Sequence, residues 1–170
     1  MELFEALLTR RSIRKYKYDI ISQDYITELI KAGMYAPSAM NYQSWQFIVV
    51  DDREALKRIN TETTAHADML MDASAAILVC GDLTLDKNIN YNLMNCSAAT
   101  ENILLAARGL GLGSCWVGAW PVIETVEGLR KILGFPENII PFSIIAIGHP
   151  DETVNADDRF KPERIHKNKW

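Results

Sequence analysis

Residues 91–118 read YNLMNCSAATENILLAARGLGLGSCWVG, and this run decides the fold. From Tyr91 to Arg108 the sequence is almost wholly small or apolar, with Glu101 and Arg108 its only charges. A helix that is apolar nearly all round must be buried nearly all round. The chain has 170 residues, enough for one domain but with little mass to cover such a helix on every side, so a partner subunit is the natural cover. Gly109, Gly111 and Gly113 end the helix and lead through Ser114, Cys115, Trp116 and Val117 to Gly118. These glycines either form a plain turn or let the backbone present amides to a flat ligand. They are no dinucleotide fingerprint, because the third glycine falls one position early and the run closes a helix instead of opening one.

Working outward, Gln46–Val50, Ala75–Cys80 and Phe142–Ile147 are β-branched or apolar runs that read as buried strands, closed by Asp51-Asp52, Gly81-Asp82 and Gly148-His149-Pro150. Leu3, Phe4, Leu7 and Leu8 fall at helical spacing and are expected to anchor a short first helix to the core. Ser22 reads as the cap of a second helix, whose stripe of Ile26, Leu29, Ile30 and Met34 runs to about Tyr35. A polar helical stretch covers Arg53 to about Asn60, and Val126, Leu129, Ile132 and Leu133 mark another helix stopped by Gly134 and Pro136. Ala36–Ser44 is a loop, and the section between Asn60 and Ala75 is ambiguous. Four candidate strands and about five helices predict a single α+β domain over residues 1–170.

The formal net charge of −4 argues against nucleic acid or an anionic membrane as partner. Cys80, Cys96 and Cys115 form no CxxC pair, and His66, His149 and His166 lack ligand spacing, so neither a disulfide framework nor a metal site is expected. No charged-then-apolar leader and no membrane-length apolar run is visible, which makes the cytoplasm the default location. Ser12, Ser38 and Ser114 lack a nucleophile-elbow context, and no HExxH, paired-carboxylate or phosphate-loop pattern occurs. A chain without its own acid–base set leaves the chemistry to a cofactor.

Arg10, Arg11, Ser12, Arg14 and Lys15 crowd together after the first helix. If the backbone is extended there, Arg10, Ser12 and Arg14 project to one side and Arg11, Ile13 and Lys15 to the other. One face then offers two guanidinium forks and a hydroxyl, which suit a phosphate and a polar heteroaromatic edge; the cations could equally complement a helix C-terminus. Residues 151–170 hold few apolar residues and read by composition as a disordered tail, although Phe160, Ile165 and Trp170 could anchor an arm.

Four motifs come in one order: Arg10 to Tyr16 (RRSIRKY), Ala36 to Phe47 (APSAMNYQSWQF), Gly111 to Gly118 (GLGSCWVG) and Ala146 to Pro150 (AIGHP). Together they resemble the FMN-dependent nitroreductase family over nearly the whole chain, with Ser44 standing where members commonly carry proline. The resemblance implies a central mixed or antiparallel sheet flanked by helices, in an intertwined homodimer with exchanged C-terminal arms of about residues 151–170. It implies one FMN site per subunit at the interface. Arg10, Arg11 and Ser12 are the implied phosphate and ribityl cluster, Arg14 the cation near the N1–O2 edge of the flavin, and Pro37, Ser38 and Asn41 the loop given by the other subunit. Gly118, Ala119 and Trp120 are implied to aim backbone amides at flavin N5 and O4, and Arg159 and Lys161 to finish the phosphate site. His66 falls near the pyrimidine edge but reads as a surface histidine. Trp45 reads as a core aromatic, and Trp116 and Trp120 as either pocket wall or packing.

The implied activity is an oxidoreductase in which NADPH or NADH reduces FMN and a small acceptor such as a nitroaromatic or quinone takes the electrons over the same face. No side chain is needed as a nucleophile. The alternative is a flavin-binding storage or sensor module without turnover.

Overall fold

The computed structural model describes residues 1–170. Five helices, α1 (Leu3–Thr9), α2 (Gln23–Met34), α3 (Arg53–Glu62), α4 (Ile89–Gly109) and α5 (Ile123–Leu133), surround four strands, β1 (Trp45–Val50), β2 (Ala75–Asp82), β3 (Gly113–Gly118) and β4 (Ile139–Gly148). The strands form one antiparallel sheet in the order β1-β2-β4-β3. Short 3₁₀ turns occupy Ala39–Asn41, Asp68–Met71 and Pro162–Arg164, the second of them in the stretch that the sequence left ambiguous.

All eight residues of β2 are buried, because helices cover both faces of the sheet. Ile77 and Val79 join Leu29, Cys96 and Ile103 from α2 and α4 on one face, whereas Ala76, Leu78 and Cys80 join Leu56, Ile59 and Leu129 from α3 and α5 on the other. This two-sided burial explains why the strand reads as a continuous apolar run with no alternation. Asn88 caps α4, its Oδ1 accepting from the amides of Asn90 and Tyr91, so that helix starts two residues before Tyr91. Ser22 stands at the N-cap of α2, but its side chain makes no capping hydrogen bond.

The expectation for α1 is overturned. Leu3, Phe4, Leu7 and Leu8 are 64%, 75%, 46% and 69% exposed, and Ala6 alone is buried. Helical spacing identifies an apolar stripe without saying what covers it. In α4 the face turned to the sheet buries Cys96, Ala99, Ile103, Leu104 and Ala107, while Tyr91 and Met94 remain exposed. No helix is long and apolar enough to cross a membrane.

Candidate cofactor site

After α1 the chain turns extended and is held from both sides. Ser12 bridges Ser114 of β3 in parallel, and the amide of Ile13 donates to the Ser114 carbonyl at 2.9 Å. On the other side Glu152 Oε1 accepts from the amides of Arg14 (2.6 Å) and Lys15 (3.2 Å), and the Asp151 amide donates to the Lys15 carbonyl at 2.9 Å. Tyr16 pins the far end, its hydroxyl donating to the Ile13 carbonyl at 2.6 Å.

The alternation read from the sequence does not sort the segment here: Arg10, Arg11 and Ile13 line one cleft together, and Ser12 and Arg14 stand outside its lining. Burial pushes the Cys115 thiol pKa up and Glu152 adds to that, while Arg14, the Ser12 hydroxyl and Arg10 oppose it. The guanidinium of Arg10 forms an ion pair with Glu101, Nε to Oε1 at 3.3 Å, and makes no hydrogen bond. That of Arg14 is exposed and unpaired. Both are available to an anion.

Arg11 has a different role from the one the resemblance implies. It is buried, and its guanidinium donates to the carbonyls of Leu8 (3.2 Å), Arg10 (2.7 Å), Asn155 (3.3 Å) and Asp157 (3.1 Å). Pointing away from Ser12, it meets the returning chain, and backbone oxygens take up its donors. The same bonds order the start of the segment after β4, which composition alone reads as a disordered tail. Further on, Arg159 and Phe160 line a groove of about 370 Å³ with Leu7, Leu8 and Arg10. Lys161 is exposed just before the last 3₁₀ turn.

A smaller cleft of about 170 Å³ lies between Thr9, Arg10, Arg108, Ser114 and Glu152. Arg108, unassigned from the sequence, donates through Nε to Thr9 Oγ1 at 3.1 Å and ties α1 to α4. The donor set of guanidiniums and a hydroxyl fits the phosphate and polar edge of FMN. The cleft does not fit a whole flavin nucleotide, because pockets for ligands of that size run to roughly 300 Å³ or more. The cleft shares Thr9, Arg10 and Arg11 with the larger groove beside Arg159.

The loop holding Pro37, Ser38 and Asn41 sits elsewhere. Asn95 of α4 braces both its ends, accepting from the Ala39 amide at 2.9 Å and donating to Ser44 Oγ at 3.1 Å. Ser44 is fully buried, and its carbonyl also accepts from the Asp82 amide at 2.8 Å, so hydrogen bonds fix this end of the loop. Ser38 Oγ accepts from the Gln43 amide, and Asn41 Oδ1 from Gln43 Nε2. Asn95 and Arg108 are separated by about 20 Å along the axis of α4, at a rise of about 1.5 Å per residue. Glu101, which pairs with Arg10, lies about 9 Å from Asn95 along the same axis.

The amides of Ala119 and Trp120 both donate to the Phe142 carbonyl, at 2.9 and 3.1 Å, closing the turn after β3 onto β4. They are not free to meet a flavin in this arrangement, contrary to the implied role. Gly118 is exposed at the strand end. Trp116 packs edge-on against Phe142, Trp45 is buried in the core and His66 is exposed. Glu152, which the sequence reading passed over, carries no signal except its place directly after the AIGHP motif.

The Nitroreductase family model matches residues 7–68 and 60–149. A relative in Archaeoglobus fulgidus, provisionally named NADH dehydrogenase/NAD(P)H nitroreductase, is 51% identical over 99% of both chains. The solved structure of an FMN-dependent nitroreductase from Clostridium difficile is 32% identical, with a TM-score of 0.91 over 98% of this chain and 99% of that one. A provisionally named nitroreductase from Desulfovibrio desulfuricans, solved in complex with FMN, is 27% identical, with a TM-score of 0.85 over 100% of this chain and 98% of that one.

Proposed function

The chain belongs to the nitroreductase family, and on that premise we propose that it is a homodimeric FMN oxidoreductase driven by NADH or NADPH. The observation that carries the reading is the basic segment after α1, where the Arg10 guanidinium lines a cleft beside Ser114 with its terminal nitrogens unbonded and the Arg14 guanidinium is exposed and unpaired. Bound FMN supplies the redox chemistry, carrying two electrons from the nicotinamide to a small acceptor such as a nitroaromatic or quinone. Arg10, Ser12, Arg159 and Lys161 hold the phosphate and the ribityl chain. Arg14 faces the N1–O2 edge, where its positive charge favours the reduced, anionic ring. Arg11 serves the same site indirectly by fixing the arm that carries Arg159 and Lys161.

Pro37, Ser38 and Asn41 serve the partner's site, with the Gly118 turn closing one side. The exposed apolar stripe of α1 and the exposed Tyr91 and Met94 of α4 support the dimer. The C-terminal arm, exposed from Thr153 to Trp170, is the segment suited to exchange between subunits. The acceptor is a small molecule, with neither nucleic acid nor membrane involved, and the setting is the cytoplasm.

Purified protein is expected to be yellow and dimeric by light scattering, to release FMN on denaturation, and to oxidise NAD(P)H when a quinone is present. Colourless protein that fails to take up added FMN refutes the assignment. Protein that binds FMN but never oxidises NAD(P)H is a storage or sensor module instead.

A further inference from the structure

Glu101 is one of two charges on the apolar run from Tyr91 to Arg108, and its carboxylate has a single partner, Nε of Arg10 at 3.3 Å. The Glu101 side chain is 43% exposed and that of Arg10 21%, so the pair is only partly shielded from water. A guanidinium offers its donors along two kinds of edge, one including Nε and one made of the two terminal nitrogens. Glu101 occupies the Nε edge and leaves the terminal pair unbonded, while Arg10 lines both the cleft beside Ser114 and the groove beside Arg159. We propose that Glu101 is the positioning residue for Arg10, holding the guanidinium by Nε so that its terminal nitrogens are presented to the phosphate of FMN.

The inference rests on the reading of Arg10 as a phosphate ligand. It opposes the simpler electrostatic expectation, in which a carboxylate beside a phosphate site repels the dianion and competes for the arginine. Occupation of separate edges makes the two anions compatible, and the long, many-rotamer arginine side chain gains a fixed direction before the phosphate arrives. Arg108 treats the preceding residue in the same way, binding Thr9 Oγ1 through Nε, so α4 grips two consecutive residues at the start of the basic segment.

The test is titration of full-length protein with FMN and with riboflavin, which lacks the phosphate, read by flavin fluorescence. Glu101→Ala is expected to raise the Kd for FMN about tenfold, the scale of one charge-assisted contact, while riboflavin shifts less than about twofold. Glu101→Gln, whose amide keeps an oxygen beside Nε, is expected to stay within about threefold of the unsubstituted protein. Glu101→Asp keeps the charge, and with it the fold, but withdraws the oxygen by one methylene, and it is expected to behave like Glu101→Ala. FMN affinity that is unchanged or tighter in Glu101→Ala or Glu101→Asp overturns the proposal, as does equal weakening of both flavins or a Glu101→Gln protein as weak as Glu101→Ala. Failure of the unsubstituted protein to bind FMN at all is a separate result and refutes the cofactor reading itself.

Discussion

The ring of Tyr16 lies so close to Gly148 that a Cβ on residue 148 would stand 2.9 Å from Cδ1. Gly148 is the register partner of Gly113, and a Cβ there would meet Cε1 of the same ring at 3.2 Å. One aromatic side chain thus covers the paired glycines at the end of the β3–β4 ladder and seats the basic segment against the sheet.

Gly148→Ala is expected to destabilise the fold by about 1–3 kcal/mol, since both the ring and the nearby backbone amide of Ser74 are fixed. Gly109→Ala, where nothing lies within 4 Å, is expected to change stability by less than about 0.5 kcal/mol. Denaturant midpoints of the two variants check the contrast, and equal midpoints contradict it.

Arg11→Ala removes the donors that hold the carbonyls of Asn155 and Asp157. Limited proteolysis after residue 150 is expected to speed up about tenfold, corresponding to roughly 1.4 kcal/mol of lost local stability. Arg11→Lys should not rescue it, because one ammonium does not reproduce the planar fork that spans both carbonyls. Cleavage at the unsubstituted rate would show that the arm is held by other contacts.

Arg14→Ala and Arg10→Ala should separate electronics from binding. A charge-assisted contact to the reduced ring is worth about 1.5–3 kcal/mol, so loss of Arg14 should lower the two-electron potential by about 30–60 mV. Loss of Arg10 should weaken FMN binding and leave the potential of the remaining bound flavin nearly unchanged. An Arg14→Ala protein with unaltered potential would show that this cation lies away from the ring.

Asp82 sets an acid limit. Burial raises its carboxyl pKa, but hydrogen bonds from Thr84, Asn138 and Gln46 outweigh that and hold it below the usual carboxylate value. A group depressed by folding contributes stability above its unfolded value, near ~3.9 for aspartate, and loses it as pH falls through the folded value. Stability should therefore drop on acidification below about pH 4, and Asp82→Asn should flatten part of that slope. Identical acid profiles for the two proteins would refute this role.

The layers were legible because β2 and α4 declare burial by composition: an apolar strand run and an apolar helix each need cover on every side. The basic cluster from Arg10 to Lys15 was visible too, but period-two alternation did not foretell that Arg10, Arg11 and Ile13 share one cleft. What stayed hidden involves backbone groups and distant chain. Arg11 meets carbonyls of residues more than 140 positions away, and carbonyl oxygens have no sequence signature. The amides of Ala119 and Trp120 close on Phe142 for the same reason. The stripe of α1 was visible, but a helical period cannot distinguish a face turned to the core from one turned to another chain.

The bracing of the Ser38–Asn41 loop by Asn95, away from the arginines after α1, has a genetic corollary. If each flavin is held by arginines of one chain and a loop of the other, a subunit crippled at Arg10 and a subunit crippled in the loop carry complementary lesions. Mixed dimers of the two assemble one wholly intact site and one doubly damaged site. Two alleles that are each inactive alone would then complement one another in the same cell, recovering no more than half of the sites in every mixed pair.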